Sequence, residues 1–301
     1  MFSYRHAFHA GNHADVLKHL VLIQLLRYLN QKPTPYMVID THAGAGVYQL
    51  DSEHASKSGE SADGIVKLWG RSDLPESVAD YVALIRAMNP AGKLRHYPGS
   101  PWIAERCMRS EDRLRLFELH STDAKLLLEN VRKLEAHAAA NGVHHRGKRV
   151  LAERADGFAA LKALLPPPSR RGLVLIDPPY ENKDDYRKVK VALEEAQKRF
   201  ASGTYAVWYP VLARLESQQL PERLKRGAQA DWLQVTLSVG AAAGEGRGLT
   251  ASGLFILNPP WTLEATLREC LPWLTQTLAR DQSAQFTLTS GSAAKPIKAS
   301  A

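Results

Sequence analysis

Cysteine is nearly absent from this chain. Two of 301 residues, Cys107 and Cys270, stand far apart in helix-like context. That excludes a disulfide framework, leaves no thiolate set for zinc, and fits a reducing compartment. No apolar run approaches the ~18 residues of a membrane span. The N-terminus lacks the apolar stretch of a secretory signal, being rich in His, Asn and Asp, so a cytoplasmic protein is expected. Acidic residues are in deficit: 31 Asp and Glu face 39 Lys and Arg, for a formal net charge of +8. A polyanionic partner fits that balance, and so does an inert basic surface. The hydrophobic fraction of 45% is that of an ordinary globular protein, long enough for one large domain or two small ones.

The stretch most able to carry chemistry is Leu-Val-Leu-Ile-Asp-Pro-Pro-Tyr, residues 173–180. Its four apolar residues read as a buried strand. Asp177 falls where that strand ends, and two prolines then forbid a continuing ladder. Asp177, the Pro178 carbonyl and the Tyr180 ring are thus expected on a stiff turn at a strand terminus. A carboxylate, a fixed acceptor and a flat aromatic face are what an amino group on a planar base requires to become nucleophilic. In isolation, a strand followed by a Pro-rich turn, with Tyr180 simply packing, reads equally well.

Upstream, His6, His9, His13 and His19 crowd the first nineteen residues beside Tyr4, Arg5 and Lys18. Asn12 predicts a helix cap, with helix to about Leu29. Gly11 and Asn12 break the helix face that His9 and His13 would need to share for a metal, and no carboxylate cluster completes a ligand set, so a tail or lid over a ligand pocket is expected. Tyr36–Asp40 reads as a strand leading into Thr41-His-Ala-Gly44-Ala-Gly46, a turn that lets backbone approach a nucleotide-like cofactor. The third glycine of the dinucleotide pattern is missing, since position 49 is Gln49. This weakens an NAD reading and leaves room for S-adenosylmethionine, which has no pyrophosphate.

Residues 48–112 read as a helical insertion with no good strand before Leu114, and Ser100 as a helix cap. Strands are then expected at Arg113–His120, Val150–Gly157 and Tyr205–Pro210, with helices between them. His144–Arg149 is a basic turn, either a phosphate contact or a solvated loop; Ser169–Arg171 is a second basic knot. Trp232–Val239 and Leu254–Leu257 form an expected hairpin. Asn258-Pro-Pro-Trp261 mimics the first motif, but an antiparallel return would leave it on the wrong edge of the sheet. Residues 283–301 read as a loose Ser/Thr/Ala-rich tail.

Asp40, Glu118, Asp156 and Asp177 all fall at or near strand ends. In a doubly wound parallel sheet those ends line one crevice. One acid is followed by Gly-x-Gly and another by Pro-Pro-Tyr, which is more specific than any single piece. Together these features resemble the amino-group class of S-adenosylmethionine-dependent methyltransferases. Closer still, the run from Tyr4-Arg-His to Lys18-His19, Asp40-Thr-His-Ala-Gly-Ala-Gly46, Tyr97-Pro-Gly-Ser-Pro101, Arg154-Ala-Asp-Gly157, Asp177-Pro-Pro-Tyr180, Gly203-Thr-Tyr-Ala206 and Thr250-Ala-Ser-Gly253 are similar to the RlmJ-type 23S rRNA adenine-N6 methyltransferases. The resemblance runs from Met1 to about Leu274.

It implies a Rossmann-like α/β fold, a mostly parallel seven-stranded sheet with one antiparallel strand, and an inserted helical subdomain. It implies one methyl transfer from S-adenosylmethionine, giving S-adenosylhomocysteine, to N6 of an adenine conventionally numbered 2030. The substrate would be largely protein-free 23S ribosomal RNA, the enzyme a monomer without metal. The family's cofactor contacts map onto His19, His42, Ser100, Glu118, Asp156 and Gly157, with Lys18 as an additional contact and Gly44 in the glycine turn. Asp177 would be the proton acceptor and Tyr4 a substrate-facing tail residue. Tyr180 would stack on the adenine and the Pro178 carbonyl would take the second N6 hydrogen. RNA phosphates would meet Arg5, Lys18, Arg247 and basic residues of the 48–112 insertion. The rival readings are a DNA adenine or glutamine-amide methyltransferase, a non-catalytic RNA-binding protein with a cofactor-like crevice, and an NAD-dependent oxidoreductase.

Overall fold

The structure, a computed structural model, describes residues 9–51, 59–140, 148–241 and 249–293. Helix α1 (His13–Asn30) starts where the sequence indicates: the Asn12 side chain accepts the Ala14 and Asp15 amides. Fourteen of its residues are buried, almost all round, including Asp15, Lys18 and His19. A helix apolar on every side belongs inside a core. The expected N-terminal tail therefore ends early, because residues 10–19 are buried.

Then follow β1 (Met37–Asp40), β2 (Val47–Gln49), a 3-10 turn at Glu60–Asp63, α2 (Ile65–Trp69), α3 (Glu76–Met88), β3 (His96–Pro98) and α4 (Ser100–Cys107). The insertion is not purely helical: β2 and β3 pair antiparallel through Tyr48 and Tyr97, three residues each. Such short strands leave almost no periodic signal. Beyond come β4 (Arg113–Phe117), α5 (Ser121–Ala140), β5 (Val150–Glu153), α6 (Gly157–Leu164), β6 (Gly172–Ile176), α7 (Lys183–Arg199), β7 (Thr204–Pro210), α8 (Leu215–Gly227), β8 (Trp232–Ser238), β9 (Ala251–Leu257), α9 (Leu263–Leu278) and β10 (Gln285–Gly291).

The main sheet has eight strands in the order β10-β8-β9-β7-β6-β1-β4-β5. The five strands β7, β6, β1, β4 and β5 are parallel; β9 and β10 run against their neighbours. The expectation of seven strands with one antiparallel is corrected by β10, which pairs with β8 from Gln285↔Ser238 to Gly291↔Trp232. The segment expected to be a loose tail is thus an edge strand as far as Gly291. Its Phe286 and Leu288 pack on the core while Thr287 bonds Thr236 across the strands at 2.6 Å.

One apolar core lies between the sheet and α1, the insertion helices, α5 and α9; a second fills the other face beneath α6, α7 and α8. From β1 the chain steps outward to β4 and β5, then returns to β6 and β7 on the other side of β1. That reversal opens a crevice at the carboxyl ends of β1 and β6. Strand β9 ends beside the start of β7, Leu257 against Tyr205, and the Asn258 amide donates to the carbonyls of Ala201 and Gly203. The second Pro-Pro motif accordingly lies on the opposite edge from Asp177.

Candidate active site

The crevice is a cleft of ≈ 1060 Å³, counted to its open mouth, walled by the glycine turn, Glu118, Asp156–Phe158, Asp177–Pro179 and the start of α7. Asp40 closes β1. Glu118 follows β4, Asp156 precedes α6, and Asp177 follows β6. The parallel register brings these acids to one rim, and among them Glu118, Asp156 and Asp177 line the cleft.

The glycine turn is held from two sides. Gly44 sits at φ +59, and a Cβ there would lie 2.3 Å from the Tyr48 hydroxyl. Its amide donates to Glu118 Oε2 at 2.9 Å, while the His120 amide donates to Oε1 at 2.7 Å. Burial raises the Glu118 pKa, and those two N–H bonds oppose the rise. Asp156 caps α6, taking the Phe158 and Ala159 amides through Oδ1. Gly157 is pressed against β1's exit: an added Cβ would meet the Thr41 carbonyl oxygen at 2.1 Å. His42 packs edge-on against Phe158 at 4.8 Å, and burial lowers its pKa to about 4, so its ring is neutral at neutral pH.

Behind the turn, Ser100 does not cap its helix. Gly99 holds that position, and the Ser100 hydroxyl donates to Asp40 Oδ2 at 2.6 Å. Asp40 also accepts the His42 amide at 3.2 Å. Burial pushes its pKa up to about 7 against the Ser100 bond, with the Asp177 charge adding to the rise. His19 backs the wall fully buried, its Nδ1 2.8 Å from the Tyr97 hydroxyl.

Lys18 and Asp177 form the electrostatic centre. Lys18 Nζ donates to Asp177 Oδ2 at 2.6 Å and lies 2.9 Å from Asp15 Oδ1. Burial opposes the ammonium, but Asp15 and Asp177 outweigh it and hold Lys18 above its ordinary pKa. Its Nζ also lies 5.8 Å from the centroid of the Trp208 ring, over its face. Lys18 is thus engaged by carboxylates and is not placed for an RNA phosphate. Pro178 and Pro179 line the cleft beside Asp177.

Tyr180 is placed differently from expectation. It is 2% exposed, with φ +52, and its hydroxyl donates to the Trp208 carbonyl at 2.7 Å. Its ring packs 4.7 Å from Tyr186 and 6.0 Å from Trp208. It braces the loop from inside the core, so it offers no face for an adenine in this conformation. Arg149, expected in a phosphate-binding or solvated turn, is 6% exposed and donates to Glu105 and to the carbonyls of Glu105, Met108 and Arg109. Arg171 likewise caps Leu29 and Thr34 carbonyls. Tyr4, Arg5, Arg247 and residues 144–147 lie outside the described residues. Asp15, bound to Lys18, was not singled out by sequence; its signal was an acid three residues before a lysine on a helix apolar all round.

Sheet order, glycine turn and Asp-Pro-Pro-Tyr loop on one cleft define a Rossmann-like methyltransferase fold. Within that class, residues 33–288 match the family model described as ribosomal RNA large subunit methyltransferase D, RlmJ, and the chain belongs to this family. It is 47% identical over 274 residues to ribosomal RNA large subunit methyltransferase J of Escherichia coli strain K12, covering 91% of this chain and 93% of that one. It is 46% identical to the protein of the same name from Haemophilus influenzae, covering 96% and 98%. A crystal structure of a Legionella pneumophila protein superposes with TM-score 0.82 at 35% identity, over 94% of this chain and 98% of that one. Among the described residues, no helix is long and apolar enough to cross a membrane, and no group of three or more His, Cys, Asp or Glu is arranged to hold a metal ion.

Proposed function

We propose that this chain transfers one methyl group from S-adenosylmethionine to N6 of a single adenine in 23S ribosomal RNA, the adenine conventionally numbered 2030. It acts in the cytoplasm as a monomer, on RNA still largely free of ribosomal proteins. The observation that carries this reading is that the Gly44 turn and Asp177 share one cleft, as cofactor and amine require.

The cleft fits the cofactor. Glu118 at the end of β4 suits ribose hydroxyls, and Asp156, whose cap uses only Oδ1, keeps Oδ2 for an exocyclic amine. His42, neutral and packed on Phe158, gives a flat wall; Ser100, His19, Gly44 and Gly157 shape the floor. The acids concentrated here suit a positive sulfonium. S-adenosylmethionine supplies a methyl group already activated by its positive sulfur. The protein then has to align an amine and strip it of water. With Oδ2 held by Lys18, Asp177 Oδ1 is the acceptor for one N6 hydrogen and takes the proton as nitrogen becomes cationic. The Pro178 carbonyl accepts the other hydrogen, and Tyr4, outside the described residues, is the substrate-facing residue the family resemblance implies.

RNA phosphates are better matched by α7 and α8 than by the insertion. Residues 48–112 carry eight Lys and Arg against ten Asp and Glu; residues 183–226 carry ten against six. Lys183, Arg187 and Lys188 stand near the cleft mouth, all substantially exposed. Such contacts weaken steeply with salt. The reading is tested by mass spectrometry of ribosomal RNA from cells lacking the protein. Loss of one N6-methyladenine supports it; an unchanged modification profile overturns it.

A further inference from the structure

Asp15 is a carboxylate with no assigned role, sunk in α1 at 2% exposure. Its Oδ1 lies 2.9 Å from Lys18 Nζ and its Oδ2 accepts the Gly11 amide at 2.9 Å. The Gly11 carbonyl in turn accepts the Ile65 amide at 2.8 Å, at the start of α2. Lys18 is therefore gripped between two carboxylates inside the protein, its side chain 5% exposed. A first-turn acid on a helix commonly favours the helix dipole. That role needs no contact with a buried lysine, and here the contact is made.

We propose that Asp15 is a positioning residue for methyl transfer, acting on Asp177 through Lys18. This inference rests on the amine-methylating reading of the cleft and deepens it. Two effects follow from the geometry. Asp15 fixes Lys18 Nζ in place, and Lys18 fixes Asp177 by Oδ2, which keeps Oδ1 for the incoming amine. The second effect is charge. The transfer forms an N–C bond and breaks the S–C bond, so positive charge leaves sulfur and appears on N6; the N6 proton then passes to Asp177. Lys18 and Asp177 alone are a neutral pair, with little to offer a growing ammonium. With both carboxylates ionised, Asp15, Lys18 and Asp177 together carry one negative charge. A fixed negative set beside the nitrogen stabilises the state in which charge has arrived there. Asp15 touches neither cofactor nor base and works through its neighbour.

The test compares Asp15→Asn, Lys18→Met and the double variant with the wild type, using methyl transfer to 23S rRNA and calorimetry with S-adenosylmethionine. Asp15→Asn is expected to lower kcat by roughly tenfold to a hundredfold, the range seen when a supporting partner of an active group is lost. Its cofactor Kd stays within about threefold of wild type. The double variant, which removes both charges together, is expected to transfer methyl no more slowly than Lys18→Met alone. It also recovers thermal stability that Asp15→Asn loses by leaving the buried ammonium with Asp177 as its one carboxylate partner. Two results overturn the inference: a wild-type kcat for Asp15→Asn, or rate losses that multiply in the double variant. A wild-type enzyme that binds the cofactor yet methylates no ribosomal RNA overturns the underlying reading instead.

Discussion

Gly157→Ala is a one-methyl change with a large structural consequence. The added Cβ would stand 2.1 Å from the Thr41 carbonyl oxygen, 2.6 Å from its Cα and 2.7 Å from its carbonyl carbon. All three are backbone atoms, so no side chain can swing away. Thr41 is itself pinned to β6, its amide and hydroxyl both donating to the Leu175 carbonyl at 3.1 Å. On the other side, α6 is pinned by its Asp156 cap. To reach ordinary contact the two must part by more than ~1 Å, at an overpacking cost of about 1–3 kcal/mol. For a chain of this size that lowers Tm by roughly 2–10 °C. Asp156 moves with the helix start, so S-adenosylmethionine should bind about tenfold more weakly, while kcat at saturating cofactor changes less. Gly70 is the control, since a Cβ there meets nothing within 4 Å. Thermal melts and calorimetry on Gly157→Ala and Gly70→Ala read both effects. Wild-type cofactor affinity and Tm in Gly157→Ala would refute the close approach of α6 to β1.

Two more outcomes follow from buried charge. Asp40 has its pKa raised from 3.8 to about 7 by burial, so the folded state holds its proton more tightly than the unfolded chain. That contribution is complete below pH ~4 and is lost as pH rises through 7, amounting to up to about 4 kcal/mol. In Asp40→Asn the Ser100 hydroxyl can turn to accept, and urea melts should show wild type losing stability relative to the variant between pH 4 and 8; parallel profiles would contradict the burial of this acid. Arg149→Ala removes the cap on α4 and the buried guanidinium partner of Glu105, leaving it the longer Arg106 pair at 3.6 Å, and should cost about 3 kcal/mol in a denaturant melt with little change in RNA affinity; a stable variant with weakened RNA binding would restore Arg149 as a phosphate contact.

The parallel half of the fold was legible because its strands are apolar runs ending in acids, with capped helices between them. The edge strand β10 was readable in principle: Phe286 and Leu288 alternate with Thr287 and Thr289 at period two, but a Ser/Thr-rich terminus masked the pattern. The pairing of β2 with β3 rests on three residues a side, too few to stand out. Glu118, Asp156 and Asp177, expected from their places at or near strand ends to share one crevice, do line it. Placements set by side-chain direction were not legible. Nothing in Asp-Pro-Pro-Tyr says that Tyr180 turns inward to Trp208, nor that Ser100 reaches Asp40 instead of its own helix end. Lys18, picked out as an additional cofactor contact, does line the cleft, but its pairing with carboxylates from α1 and β6's exit was made by tertiary packing.

The most direct measurement is a paired assay of Asp177→Ala and wild type. Each protein is given S-adenosylmethionine labelled in the methyl group and 23S rRNA, the RNA is digested to nucleosides, and cofactor binding is followed separately by calorimetry. Label should appear as N6-methyladenosine with wild type and vanish with Asp177→Ala, while both bind the cofactor with similar affinity. Label that persists within a few-fold in the variant, or that appears in a different nucleoside, would contradict the assignment of Asp177 as the group that receives the amine.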